Sequence, residues 1–286
     1  MTWTPPPTSD TTDAKYASDF SHDDETATAG YYKVGLASGA SAALTTTART
    51  GSGQFGFPAD KPASMLFRTS NSETGSTDAT VRIDRAARTV TGSVTAGNFC
   101  GPQSANNRKD LYTLYFTAHF DKPFAKVGTW KDGTLTPPGS TSASGGTGYS
   151  SSGNAVEGKA PARTSPSRTA PPRRAQVAVS YVSAANAEAN LRKENGPGKS
   201  FGSVKRQAAA NWNKALKAVE IGGGSDSRRT AFYTALYHSM LEPTLTSDVD
   251  GRYLGADRKP PTGSPRARRR STAPSPAGTS TGRRCS

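Results

Sequence analysis

The chain is predicted to be an α+β protein, an antiparallel β-sandwich followed by helices. Three observations predict this. Between Phe20 and Trp130 short apolar-alternating stretches recur between Gly, Ser, Asn and Pro, the texture of an antiparallel sandwich. Past Ser183 the spacing of apolar residues lengthens from two to about four, which is helical. The two textures also do not interleave as they would in a βαβ protein.

Residues 1–19 are polar and rich in Pro and Thr and are read as a loose leader. In Tyr32, Val34 and Leu36 alternate residues are apolar, as are Val81 and Ile83, then Val90 and Val94; each set fits a half-buried strand. LYTLYFTAHF, residues 111–120, alternates most clearly. Tyr112, Leu114, Phe116, Ala118 and Phe120 form one face, with Thr113, Tyr115, Thr117 and His119 on the other. The Gly/Ser/Thr/Pro stretch 132–154 reads as a loop, and the whole of 132–175 as a flexible insert in a sandwich domain spanning 20–182. QVAVSYV (176–182) returns to strand texture. Ser183 can cap a helix over about 184–194, stopped by Gly196, Pro197 and Gly198. Val204, Ala208, Trp212 and Leu216 stand at i, i+4 spacing within 203–219, an amphipathic helix ended by Gly222–Gly224. Residues 226–241 gather Phe232, Tyr233, Leu236, Tyr237, Met240 and Leu241 on one broad face, ahead of Pro243. Residues 183–257 therefore form a helical segment.

Composition narrows the function classes. The apolar fraction is 33% of 286 residues, and no apolar run approaches the ~20 residues of a membrane span. MTWTPPPTSD has neither a basic n-region nor an apolar h-region, so no secretory signal is visible. Cys100 and Cys285 lack metal-site spacing. The formal charge of +14 is concentrated in two segments. Residues 258–286 carry eight basic residues and 159–174 five, neither with an acid; the remainder holds 23 basic against 22 acidic residues. Residues 258–286 also lack Val, Ile, Leu, Met, Phe, Trp and Tyr. They cannot bury enough apolar surface to offset ordering entropy, so a disordered basic tail is expected. Basic residues can contact phosphates, but no aromatic residues interleave these runs and no recognition motif accompanies them, which argues against a nucleic-acid partner.

Two places carry candidate chemistry. In FSHDDETATAGYY, His22 and Glu25 stand three apart before a Gly-aromatic turn; the pair can hold a polar ligand or form a hydrogen-bonded structural corner. SDVDGRYLGAD (247–257) sets Asp248, Asp250 and Asp257 around Gly251 and Gly255, a pattern suited to calcium or to sugar hydroxyls, or to a capped turn. It does not follow the EF-hand spacing.

With these residues, the chain resembles glycoside hydrolase family 92, the calcium-dependent exo-acting α-mannosidases. The resemblance is carried in order by SHDDETATAGYYKVGL (21–36), VTAGNFCG (94–101), YTLYFTAHFDKPF (112–124), VSYVSAANAEANLRKEN (179–195), NWNKAL (211–216) and FYTALYHSMLEPTLTSDVDGRYLGAD (232–257). It implies an N-terminal β-sandwich and the first helices of an (α/α)6-barrel catalytic domain, here truncated. It also implies inverting hydrolysis of terminal α-linked mannose from glycans, with one carboxylic acid protonating the leaving oxygen and another carboxylate activating water. A calcium ion is expected at the sugar hydroxyls, its main ligands lying outside this chain. Asp250 and Asp257 are the implied sugar contacts; His22 and Glu25 match a family motif near the interface. Export to the periplasm or outside the cell is the family expectation.

The resemblance ends at Asp257, before the family's catalytic acid and base, so the chain alone is expected to be inactive. The two basic segments, 157–174 and 258–286, read as out-of-frame translation of GC-rich DNA, which yields Arg, Pro, Ala, Gly and Ser. The alternative reading is a non-catalytic carbohydrate-binding or scaffolding sandwich. No clustered aromatic platform for sugar stacking is visible to support it.

Overall fold

The computed structural model describes residues 17–59, 63, 65–69, 76–97, 111–131, 134–145, 161–166, 173–241 and 245–255. A turn of 3-10 helix, His22–Asp24, leads into β1 (Glu25–Thr28) and β2 (Tyr31–Gly35). There follow β3 (Ser41–Thr46), β4 (Thr50–Gly56), β5 (Met65–Arg68), β6 (Ser76–Asp84), β7 (Thr89–Gly97), β8 (Leu111–Phe120) and β9 (Phe124–Lys131). Then come β10 (Thr134–Leu135), β11 (Ser142–Gly145), β12 (Pro161–Pro166) and β13 (Arg173–Ser180), and last α1 (Ala184–Asn195), α2 (Phe201–Leu216) and α3 (Asp226–Ser239).

The strands make two sheets. The larger runs β1-β2-β3-β4-β13-β8-β7-β6-β11 and the smaller β10-β9-β12-β5, with antiparallel pairing throughout. The core between them holds Val81, Ile83, Val90 and Ala118 of the large sheet and Phe124 and Val127 of the small one, with Phe67, Phe116, Phe120 and Val177 packed against it. The even-numbered face of β8 is thus the sandwich face. Its odd-numbered residues Thr117 and His119 turn the other way, toward Glu188 of α1. The molecule is therefore layered as small sheet, large sheet, helices.

Each helix begins on a serine whose Oγ accepts a backbone N–H in the first turn: Ser183 from Asn186 at 3.1 Å, Ser200 from Ser203 at 3.1 Å and Ser225 from Arg228 at 3.4 Å. Such caps satisfy donors that the helix itself cannot. α1 packs on β13, β8 and β4, and α2 on β2, β3 and β4. α2 buries Phe201, Val204 and Ala208, and Gly30 at the β1–β2 turn lies close beneath it. α3 rests on α2, with Tyr237 4.7 Å from Trp212 between ring centres, but buries none of its own residues.

The span 132–175, expected to be a flexible insert, contains β10, β11 and β12 and the start of β13. These strands are short or rich in Ser, Arg and Pro, so no local periodicity marks them. Their order comes from partners distant in sequence: β11 pairs with β6, and β12 bridges β5 and β9. Arg174 belongs to the fold as well. Its guanidinium donates to Ser52 Oγ, Asn195 Oδ1 and the Lys199 carbonyl, and its backbone N–H to Asp121. Burial lowers the Arg174 pKa and the Asp121 charge partly restores it. Residues 258–286, expected to be a disordered tail, and the leader residues 1–16 lie outside the described residues. No helix among the described residues is long and apolar enough to cross a membrane.

Candidate functional site

The densest polar arrangement lies where α1 crosses the large sheet and the loop 245–255 returns to it. α1 presents a polar face inward. Asn186, Asn190 and Asn195 are buried, while Arg192 and Lys193 of its last turn are exposed. A buried amide is stable only when its donors and acceptor are paired, and here they are. Asn190 Nδ2 donates to Asp248 Oδ1 at 2.6 Å and to the Val179 carbonyl at 2.9 Å, while its Oδ1 accepts the Val249 N–H at 2.9 Å. Asp248 is 3% exposed, and its second oxygen accepts from Ser180 Oγ at 2.7 Å.

The outer side of this loop carries the predicted site residue Asp250. Its carboxylate accepts Asn186 Nδ2 at 3.2 Å and the Arg252 N–H at 3.0 Å, with Arg252 Nε 3.4 Å away. The loop turns at Gly251, whose φ of +85° is favoured by glycine. Asp248 and Arg252 close it, since Asp248 N–H donates to the Arg252 carbonyl at 2.7 Å and Gly251 N–H to the Asp248 carbonyl at 2.9 Å. Arg49, between β3 and β4, reaches over from the sheet. Its Nε donates to the Ser247 carbonyl, and Nη1 pairs with Glu194 at the end of α1, each at 2.5 Å.

The other predicted residues stand elsewhere. Glu25 Oε2 accepts from Tyr32 Oη at 2.8 Å, and His22 Nδ1 is 3.6 Å from Glu25 with the histidine side chain 90% exposed. The hydrogen bond to Glu25, then burial and the carboxylate charge, raise the Tyr32 pKa. β1 is the edge strand, four strand steps from β13 in the large sheet, or roughly 19 Å at about 4.8 Å per step. His22 and Glu25 therefore form a corner apart from Asp250. Asp257 lies outside the described residues. Asn186, Asn190, Ser180, Arg49 and Glu194 were not singled out from sequence. The i, i+4 spacing of Asn186 and Asn190 in AANAEAN is the signal that marks two of them, because it puts both amides on one helix face.

These residues do not make a calcium cage. Calcium takes six to eight oxygens, but both oxygens of Asp248 already accept hydrogen bonds inside the fold, and Asp250 has a guanidinium beside it. Among the described residues no cluster of three or more His, Cys, Asp and Glu could hold a metal. A separate cleft of about 750 Å³ opens between the β1–β2 turn and α3, lined by Ala27, Ala29, Leu216, Arg229, Tyr233 and Tyr237. It is mostly apolar and presents no carboxylate pair.

Comparison with known proteins agrees with this layout. Residues 2–192 match the glycosyl hydrolase family 92 N-terminal domain, and residues 186–269 match the family 92 catalytic domain. The match thus runs twelve residues past Asp257, where the resemblance read from sequence stopped. The two matches meet on α1. Among solved structures the chain is similar to the family GH92 α-mannosidase BT3965 from Bacteroides thetaiotaomicron, with a TM-score of 0.72 and 24% identity over 87% of this chain and 31% of that one. The same protein in complex with mannoimidazole superposes with a TM-score of 0.70 at 24% identity, over 85% of this chain and 30% of that one. The GH92 inverting mannosidase BT2199 from the same organism matches with a TM-score of 0.66 and 22% identity, over 85% of this chain and 29% of that one. The GH92 family glycosyl hydrolase ccman5 matches with a TM-score of 0.72 and 27% identity, over 86% of this chain and 32% of that one. The chain spans about three tenths of the length of these structures. No curated protein matches it. With the N-terminal-domain match covering residues 2–192 and the catalytic-domain match following in order, the chain belongs to glycosyl hydrolase family 92.

Proposed function

We propose that this chain is the sandwich and first helices of an exo-acting α-mannosidase that removes terminal α-linked mannose from glycans with inversion. The observation that carries the reading is the two family matches meeting on α1, the helix whose polar face joins the sandwich to the loop bearing Asp250. The structural likeness to proteins described as an α-mannosidase and an inverting mannosidase supports the same reading.

Inverting hydrolysis needs a protonated carboxylic acid at the leaving oxygen and a carboxylate base about 6.5–9.5 Å away, with room for water between them. The described carboxylates at the site do not supply that pair. Asp248 is enclosed and doubly hydrogen-bonded, and Asp250 is held by Asn186 and Arg252. Asp250 is suited to accepting hydrogen bonds from sugar hydroxyls and takes that role, which Asp257 shares. The acid, the base and the ligands of any calcium ion then lie in catalytic-domain sequence that the described residues do not contain. On this reading the chain alone is expected to be inactive. Purified 1–286 is expected to release no nitrophenol from 4-nitrophenyl α-mannoside above the blank; turnover would overturn the inactivity. Joined at residue 257 to the remaining catalytic domain of a GH92 relative, it should hydrolyse α-mannobiose and release β-mannose first, read by proton NMR. First release of the α anomer would overturn inversion, and no hydrolysis would count against the mannosidase reading.

A further inference from the structure

We infer that Asp248, Asn190 and Arg49 are positioning residues, through which the β-sandwich and α1 hold the Asp250–Arg252 turn in one place. The loop has an inner and an outer attachment. Inside, the Asp248 carboxylate is tied at one oxygen to Ser180 Oγ, at the end of β13, and at the other to Asn190 Nδ2. Ser180 Oγ in turn accepts the Val182 and Ser183 N–H groups. The same Asn190 accepts the Val249 N–H, so one amide grips consecutive loop residues. Outside, Arg49 donates to the Ser247 carbonyl at 2.5 Å and to the Asp248 carbonyl at 3.5 Å. Its own direction is set by Glu194, which also accepts from Thr47 Oγ1 at 2.6 Å and from the Arg49 backbone N–H at 2.9 Å.

The partners come from the sheet, from α1 and from the Thr47–Thr50 turn. Among the described residues none comes from α2 or α3. The turn is therefore located by the sandwich and by α1, and not by the later helices. Asp248, for all its place in an acidic run, is enclosed and acts through the turn it anchors. Asp250 and Arg252 are the side chains left facing outward, with 40% and 56% of their surface exposed. The assignment of Asp250 to the substrate side rests on the mannosidase reading; the clamp does not.

Amide hydrogen exchange in the ¹⁵N-labelled chain tests it. Asp248→Ala removes both carboxylate hydrogen bonds that anchor the loop, so it should speed exchange at Val249 and Gly251 about tenfold or more. Exchange at Val90 and Thr117 in the sheet should not change. Asp248→Asn keeps an acceptor for Asn190 and should restore most of the protection. If Asp248→Ala fails to fold, Arg49→Gln supplies the measurement. It leaves the inner Asp248–Ser180–Asn190 cluster in place and should still accelerate loop exchange and trypsin cleavage after Arg252. Loop exchange that rises only as much as sheet exchange would overturn the inference, as would an asparagine variant behaving like alanine. A completed hydrolase without mannosidase activity would sink the proposed function and leave the exchange result standing.

Discussion

Gly30, at the β1–β2 turn, lies against Ala208 and Trp212 of α2, and Gly30→Ala tests that joint. Its φ is +82°, and an L side chain in the left-handed region costs about 1–2 kcal/mol. A Cβ there would also stand 2.8 Å from Ala208 Cβ, 3.1 Å from Trp212 Cδ1 and 3.3 Å from the Ala208 carbonyl carbon. Two of these atoms belong to Ala208, which is buried in mid-helix and can move only with α2. Overpacking of this kind adds about 1–3 kcal/mol. The expected loss is therefore roughly 2–5 kcal/mol, a large share of the about 5–15 kcal/mol that a domain of ordinary stability has. Gly139 supplies the control. It has nearly the same φ, +84°, with nothing within 4 Å of an added Cβ, so Gly139→Ala should show the backbone part alone, about 1–2 kcal/mol. Urea unfolding followed by far-UV circular dichroism gives both values. Equal losses in the two variants would refute the close approach of the β1–β2 turn to α2.

Two further outcomes are expected. At Glu188, burial raises the carboxyl pKa, but the Arg192 hydrogen bond and the charge and hydrogen bond of His119 outweigh it, so the group titrates below its ordinary 4.5. A carboxyl with a depressed folded pKa contributes stability that is complete above the unfolded value and is lost as pH falls through the folded one. The stability gap between the wild type and Glu188→Gln should therefore be widest above pH 4.5 and close below it; a gap unchanged by acid would refute the assignment. Sequencing the coding DNA beyond codon 257 should show, one base out of frame, a helical segment rich in Trp, Tyr and acidic residues. If neither alternative frame encodes one, the basic segment 258–286 is genuine.

Local periodicity carried much of the fold. Alternation in residues 111–120 identified both faces of β8, and the structure puts Phe116 and Phe120 against the core and His119 against α1. Ser183 was legible as a helix cap because capping involves only the next three residues. All three helices fall within a few residues of their expected bounds, α3 ending at Ser239. The acidic run 247–257 was legible as a candidate loop by composition alone.

Chain-distant contacts were not legible. Sequence order does not say that β13 lies between β4 and β8, because strand pairing depends on which edges remain free once the other strands have formed. The same holds for β11 and β12, whose residues carry no apolar alternation and order only against β6, β5 and β9. Within the acidic run, residue type could not separate Asp248 from Asp250. The two are chemically identical and two positions apart, yet one is enclosed by Ser180 and Asn190 and the other faces outward. By itself the sequence determined the helices, the strands with apolar alternation and the family motifs they carry, since those depend on near neighbours. Only the tertiary structure decided which carboxylate is an enclosed anchor and which stands exposed on the outer side of the turn. That depends on desolvation and hydrogen-bond partners brought from 58 and 68 residues away.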